Sequence, residues 1–289
     1  MSVELTDVQK WVSVECPIFG VYSPSGEGKT TFAATLFDDD DYWPVLYIDA
    51  DEGVKTIAKF ANNKTICDYR SKSKRPKGYT VFQWFANTLK EARTSKHKSV
   101  VIEGFTRFRD NLVSDFLIEN PEHVEKARGI MTAYVKPSQL CGALFGGVSK
   151  IQDVRKRSNT GIPVVFSLNT KYERFEQKGK PAVEYPVPNL SPNLTQNIMG
   201  RADLFAEMTR EAGQKMQIRP YRTRLNKYRK ARNPAVAKAI ADMRDPNLPD
   251  LLAKWASVEL HQTEEVAAWA TDEDDTPEDD TPEDTESNE

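Results

Sequence analysis

A chain of 289 residues can bury a sizeable core in one large α/β domain with additions. It shows no long apolar run and no positively charged leader, so neither a membrane span nor a secretory signal is expected. Three scattered cysteines (Cys16, Cys67, Cys141) argue against a disulfide framework or a zinc site and for a reducing, cytoplasmic location, in a host cytoplasm if the source is viral.

The net charge of −3 hides an asymmetry. Of the 43 acidic residues, 13 lie after position 263, where no Lys or Arg occurs, so residues 1–263 carry a surplus of about +10. A basic body suits a polyanionic partner, and an acidic tail can compete for the same face or recruit another protein. The three histidines (His97, His123, His261) sit in charged surroundings and suggest no histidine chemistry.

After a lead-in over residues 1–11, residues 12–21 alternate as a strand and residues 30–37 read as a helix. Between them runs Ser23-Pro24-Ser25-Gly26-Glu27-Gly28-Lys29-Thr30-Thr31, a glycine-rich turn in the strand–turn–helix context of a P-loop. Backbone N–H groups from Ser25 to Thr31 and the helix dipole would surround a polyphosphate. Gly26 and Gly28 allow close approach, Lys29 supplies a cation for the β- and γ-phosphates, and Thr30 offers its hydroxyl to Mg²⁺. Ser23 stands where a first glycine is usual. These residues predict binding of ATP with Mg²⁺.

Residues 45–49 form a buried strand ending in Asp49-Ala50-Asp51-Glu52, followed by a helix-like stretch to residue 60 and a basic loop over 70–78. A strand around 79–84 and a helix to about 95 precede a second buried strand, 99–103, which ends in Glu103. A helix over 107–118, a polar segment over 120–138 and a helix over 140–157 lead to the strand 163–168. Residues 171–197 read as a mobile loop with a hairpin, and 202–208 and 216–230 as closing strands. The pattern predicts an α/β fold with a mainly parallel sheet and helices on both faces. A helical C-terminal segment (233–263) and an acidic, disordered tail (264–289) complete it. Lys29, Asp51, Glu103 and Asn169 each follow a strand end and so fall on one rim, where such sheets bind ligands. One carboxylate, on the strand beside the P-loop, should hold a metal-bound water, and another should polarise the attacking water. Asp49, Asp51 and Glu52 all remain open for the second task.

In this context residues 48–51 resemble the strand-end motif of RecA-type ATPases, where an acid activates water. Val100-Val101-Ile102-Glu103-Gly104-Phe105-Thr106 resembles their second magnesium motif, with Glu in place of Asp. Residues 164–169 resemble the third motif, whose amide senses the γ-phosphate and moves a DNA-binding loop. Asn226-Lys227-Tyr228-Arg229 is similar to the Lys-x-Arg element that RecA-like proteins insert into a neighbour's ATP site. The likeness covers residues 14–232 and is greatest to reduced-core RecA-like ATPases of phages, which act as or with single-strand annealing proteins.

The resemblance implies a RecA-like core over 1–232 that binds single-stranded DNA in recombination or strand annealing, with DNA-stimulated hydrolysis. It also implies assembly into a ring or filament. It gives Asp51 the water, Thr30 and Glu103 the metal, Asn169 the γ-phosphate, and Lys227 and Arg229 a nucleotide in trans. Asp51, shorter than the usual Glu, predicts slow turnover. Lys171, Arg174, Lys178 and Lys180 become the expected DNA contacts; Arg70–Lys77 and Arg222–Arg232 are further basic clusters, with Tyr172, Phe175, Tyr221 and Tyr228 interleaved for stacking on bases. Two other readings fit the same residues: a helicase loader or motor, and a nucleotide-gated scaffold whose tail recruits a single-strand-binding or annealing protein.

Overall fold

The computed structural model describes residues 17–53, 68–122, 127–157, 162–176, 178, 181–210, 215–222 and 226–258. Outside them lie the lead-in, the beginning of the first expected strand, the helix-like stretch before residue 60, Cys16, Cys67, His123, His261, Lys180, Arg224 and the acidic tail.

In chain order the elements are β1 (Ile18–Ser23), α1 (Lys29–Ala34) running into a 3₁₀ turn (Thr35–Asp38), β2 (Val45–Asp49), β3 (Asp68–Ser71) and α2 (Val81–Ala92). Then come β4 (Ser99–Glu103), α3 (Phe105–Glu119), α4 (Ala127–Arg157), β5 (Val164–Phe175), β6 (Val183–Pro188) and α5 (Pro192–Arg201). The chain continues through β7 (Leu204–Thr209), β8 (Gln217–Arg219), β9 (Lys230–Ala231), α6 (Pro234–Ala241) and helical residues 248–258.

The strands lie in the order β3-β2-β4-β5-β1-β7-β8, with β9 also on β7 and β6 on β5. All pairs from β3 to β7 are parallel; only the β6, β8 and β9 pairings are antiparallel. This is the expected α/β architecture with a mainly parallel sheet. One expectation fails. The strand bearing Glu103 does not lie beside the P-loop strand, because β5 is inserted between β4 and β1.

The central strands are apolar on both faces because both are covered. In β5, Val164, Phe166 and Leu168 join a cluster with Phe85, Phe105, Phe108 and Phe145 from α2, α3 and α4. Val165 turns the other way, into a cluster with Phe32 and Leu36 beside α1 and with Ile240, Leu251 and Trp255 from the C-terminal helices. The segment after residue 233 therefore packs on the core, and the Leu248 N–H donates to the Thr35 hydroxyl at 2.9 Å.

Several boundaries differ from the sequence reading, each for a local reason. Residues 81–84 are helical rather than extended. Thr80 caps α2 by accepting from the Gln83 N–H at 3.1 Å, Gln83 returns a bond to the Thr80 N–H, and Val81, Phe85, Leu89 and Ala92 make one buried stripe. α4 begins well before residue 140 and runs through Pro137. β5 passes Asn169 and continues to Phe175, so Asn169 lies within a strand rather than past its end. The polar stretch after the hairpin holds α5, capped by Ser191. The last expected strand is two short ones, β8 and β9.

Gly20 lies in β1 where the rings of Phe166 and Phe205 close over the backbone, and a Cβ there would overlap both. Replacing Gly20 with Ala should destabilise the fold by about 1–3 kcal/mol. Thermal denaturation should show this as a loss of several degrees in Tm.

Candidate nucleotide site

The residues singled out for nucleotide chemistry gather at the carboxyl ends of β1, β2 and β4. In register, Ser23 pairs with Asn169 of β5, and Asp49 pairs with Glu103. After Ser23 the chain turns over the end of β1. Gly26 and Gly28 take φ values of 88° and 92°, the left-handed region that a side chain would resist. Gly28 is the N-cap of α1, and no side chain caps that end. The first-turn N–H groups therefore remain for an anion. Ser25 is exposed, and Glu27, Thr30 and Thr31 are half-buried around the turn.

Lys29 is buried, and its ammonium donates to the carbonyls of Ser23 and Pro24, both at 2.9 Å, and to the Ser23 hydroxyl at 3.3 Å. Burial lowers its proton affinity, and the nearby Asp51, Glu103 and Glu27 partly restore it. Its partners are neutral oxygens, which a phosphate can replace with a stronger, charge-assisted bond. Ser23, which stood out only as a missing glycine, thus helps to hold the lysine. A hydroxyl beside a P-loop lysine carries no sequence signal that would have revealed this.

Glu103 ends β4 with its carboxylate buried. One oxygen accepts the Thr30 hydroxyl; among the described residues the other, Oε2, has no partner. Desolvation pushes its pKa up to about 7, opposed by the Thr30 hydrogen bond and the Lys29 charge. A buried, unsatisfied carboxylate oxygen costs free energy unless something binds it. A carboxylate and a hydroxyl at hydrogen-bond distance are hard oxygen donors, and these residues fit Mg²⁺.

The three acids after β2 have separate surroundings. Asp49 is buried and spends its oxygens on the Tyr69 hydroxyl at 2.7 Å and the Asp51 N–H at 2.9 Å. Glu52, with φ of 58°, turns away to accept the Ser73 N–H at 3.1 Å. Asp51 lies at the rim against Gly104, so closely that a Cβ there would stand 2.5 Å from the carboxyl carbon. Gly104 (φ 71°) is the N-cap of α3, whose positive end suits a carboxylate. Partial desolvation and Asp49 raise the Asp51 pKa, while Lys29 and Arg107 pull it down.

Two hydroxyls tie this corner to β5. Ser167 Oγ accepts the Gly104 N–H at 3.0 Å, and Thr106 Oγ1 accepts the Asn169 N–H at 3.1 Å. The Asn169 carbonyl in turn accepts from the Asn189 N–H at 2.8 Å. Gly104 and Thr106 stand at the end of the metal motif in the sequence, but their hydrogen bonds to β5 carry no sequence signal.

The remaining candidates lie elsewhere. Arg229 is buried on Glu207, with Nε 3.0 Å from Oε2 and a second nitrogen on the same oxygen, and it also donates to the Tyr221 carbonyl at 3.3 Å. Lys227 is exposed, its ammonium 5.4 Å from the Tyr228 ring centre. Lys171 and Arg174, on the β5–β6 hairpin, face Glu173 at 3.5 Å and Glu176 at 3.0 Å, and Lys178 is exposed at the hairpin's end.

Among solved structures, the assembled type III secretion ATPase EscN from enteropathogenic E. coli aligns at 13% identity with a TM-score of 0.40, over 68% of this chain and 44% of that one. A prototypical type III secretion ATPase of pathogenic bacteria aligns at 14% identity, again with a TM-score of 0.40, over 68% and 52% of the two chains. The chain thus spans about half the length of these proteins. No curated protein matches it. No helix of the described residues is long and apolar enough to cross a membrane. The family pattern described as an AAA domain matches residues 17–234, a span that contains the P-loop, both strand-end acids and the whole sheet. The chain belongs to the AAA domain family, a family of nucleotide-binding P-loop ATPases.

Proposed function

We propose that this protein binds Mg²⁺-ATP, hydrolyses it slowly, and uses the nucleotide to control its hold on single-stranded DNA during recombination or strand annealing. The observation that carries the ATP half is the buried Glu103 carboxylate, half satisfied by Thr30 and half unsatisfied, beside the P-loop lysine. Thr30 and Glu103 would hold the metal. Bound there, Mg²⁺ would neutralise charge on the β- and γ-phosphate oxygens. Lys29 would exchange the Ser23 and Pro24 carbonyls for phosphate oxygens. Asp51, which is held neither by Tyr69 as Asp49 is nor by Ser73 as Glu52 is, would orient the attacking water and accept its proton. Its raised proton affinity favours that role, and its short side chain limits the rate.

The DNA half is supported by the continuity of β5. The strand passes Asn169, level with Ser23 at the P-loop, and runs unbroken into a hairpin that carries Tyr172, 59% exposed, and Lys171, Arg174 and Lys178. A stiff strand can transmit a change at the phosphate end to the hairpin end. In a ring or filament, Lys227 is free of carboxylate partners among the described residues and is the better-placed half of the Lys-x-Arg pair to reach a neighbouring nucleotide, because Arg229 is committed to Glu207. The acidic tail is the natural recruiter of a single-strand-binding or annealing protein.

Steady-state ATP turnover with and without single-stranded DNA tests the whole reading. Wild type should be slow alone and faster with DNA, and Lys29→Ala should abolish both rates. Absence of ATP turnover and of nucleotide-dependent DNA binding in the wild type would overturn the proposal. Asp51→Asn should keep nucleotide affinity within a few-fold while lowering turnover by roughly 10²-fold or more, measured as kcat alongside fluorescent-nucleotide binding.

Glu103→Gln should separate stability from function. The folded-state pKa of Glu103, about 7, lies above its ordinary 4.5. Its ionised form therefore destabilises the nucleotide-free fold above pH 7, and the penalty fades as pH falls towards 4.5. At pH 8 the nucleotide-free Gln variant should melt a few degrees above wild type, with the gap closing near pH 5. The same variant should lose the Mg²⁺-dependent tightening of ATP binding.

A further inference from the structure

The outer edge of β7 is shared. β8 pairs with its last residues, Glu207 to Thr209, and β9 with its first, Leu204 and Phe205. Beside β9 lies a recess of about 580 Å³, lined on one side by Pro234 and Ala237 of α6. Lys230 is level with Gly20 through Phe205, well below Ser23 and two strands away from the P-loop strand, so the recess is separate from the nucleotide site.

Four cations line it: Arg222, Arg229, Lys230 and Arg232. Two are neutralised in place, Arg229 by Glu207 and Arg232 by Asp203 at 2.8 Å. The other two have no carboxylate within salt-bridge distance among the described residues. Lys230 donates to the carbonyls of Met199 (2.8 Å), Gly200 (3.2 Å) and Ala202 (3.1 Å), and Arg222 donates through Nε to the Arg229 carbonyl at 3.0 Å. The recess therefore holds about two uncompensated positive charges, with Arg222 exposed at its mouth and its two terminal nitrogens left for another acceptor. Burial, and then the repulsion of Arg232 and Arg222, lower the proton affinity of Lys230, so an anion would relieve a strain already present. Tyr221, 46% exposed, stands beside Arg222 on the same wall.

The β5–β6 hairpin is different. Its Lys171 and Arg174 already face Glu173 and Glu176, and each pair cancels. The stronger anion site is the recess.

We propose that this recess binds the backbone phosphate of a single-stranded nucleic acid, with Arg222 on the phosphodiester, the Lys230 charge behind it and Tyr221 against the adjoining base. Arginine forks suit phosphate oxygens, and an exposed aromatic beside them suits an unpaired base, whose faces a duplex would hide. The proposal rests on the DNA reading above: the hairpin carries the nucleotide response, and the recess holds the strand.

The test is the binding of a fluorescein-labelled oligothymidylate to the full chain with Mg²⁺ and a non-hydrolysable ATP analogue, followed by anisotropy over a range of salt. Arg222→Glu should weaken binding at least about tenfold and flatten the log–log salt dependence by about 0.7 for the lost phosphate contact. Arg222→Lys should restore most of the loss, Tyr221→Ala should cost roughly tenfold, and fluorescent-ATP binding should be unchanged throughout. Wild-type affinity in both Arg222→Glu and Tyr221→Ala, with a loss in Lys171→Glu/Arg174→Glu, would move the DNA to the hairpin. That overturns this proposal and leaves the functional reading intact. Unchanged oligonucleotide binding with a fall in concentration-dependent ATP turnover would assign the cations to a neighbour's nucleotide and also overturn it. If wild type binds no oligonucleotide in any nucleotide state, the functional reading itself falls, and this proposal with it.

Discussion

The site depends on one uncomfortable carboxylate. Glu103 ends a strand inside the sheet, with Thr30 on one oxygen and no described partner on the other. Such a group is held only because the structure around it is over-determined. β4 is locked between β2 and β5, α3 starts one residue later on Gly104, and the Thr30 hydroxyl comes from the opposite side of β5. The inserted strand sets this spacing. With β5 between β1 and β4, the acid reaches the Thr30 hydroxyl of the P-loop across one intervening strand. Instability at this point is the counterpart of affinity, because the same oxygen that disfavours the empty fold is the one available to a ligand.

The parts of this arrangement visible in the sequence are those that depend on neighbours in the chain. Gly26, Gly28, Lys29 and Thr30 lie within five residues, and their roles follow from one turn and one helix start. Glu103 was visible because three β-branched residues precede it and a glycine follows. The choice among Asp49, Asp51 and Glu52 was not visible, since it turns on Tyr69 and Ser73, about twenty residues away and across a parallel strand pair. Arg229 shows the same limit. Its spacing from Lys227 suggested an exposed finger, but Glu207 on the adjoining strand holds it inside.

Misread boundaries have a related origin. Val81, Phe82, Trp84 and Phe85 are aromatic and β-branched residues that favour a pleated surface, yet the capping pair Thr80 and Gln83 and a buried stripe at helical spacing decide for the helix. The helix expected only from about residue 140 begins earlier and passes through Pro137. Tertiary packing against α2, α3 and α5 outweighs the missing donor there, and the helix continues. Propensity in this chain is overruled where a helix has a broad apolar face to cover.

The bond from Leu248 to Thr35 joins residues 213 positions apart, and it bears on the order in which the chain can fold. The sheet face covered by α2 to α5 draws its partners from residues up to Tyr228. The face above the P-loop helix also needs Val236, Ile240, Leu251 and Trp255, close to the end of the described chain. During synthesis Phe32, Leu36 and Phe37 emerge early and wait more than two hundred residues for that cover. The P-loop helix is therefore made long before the residues that seal it. Until then its apolar surface is the one on which a nascent chain is most exposed to chaperones and to misassociation.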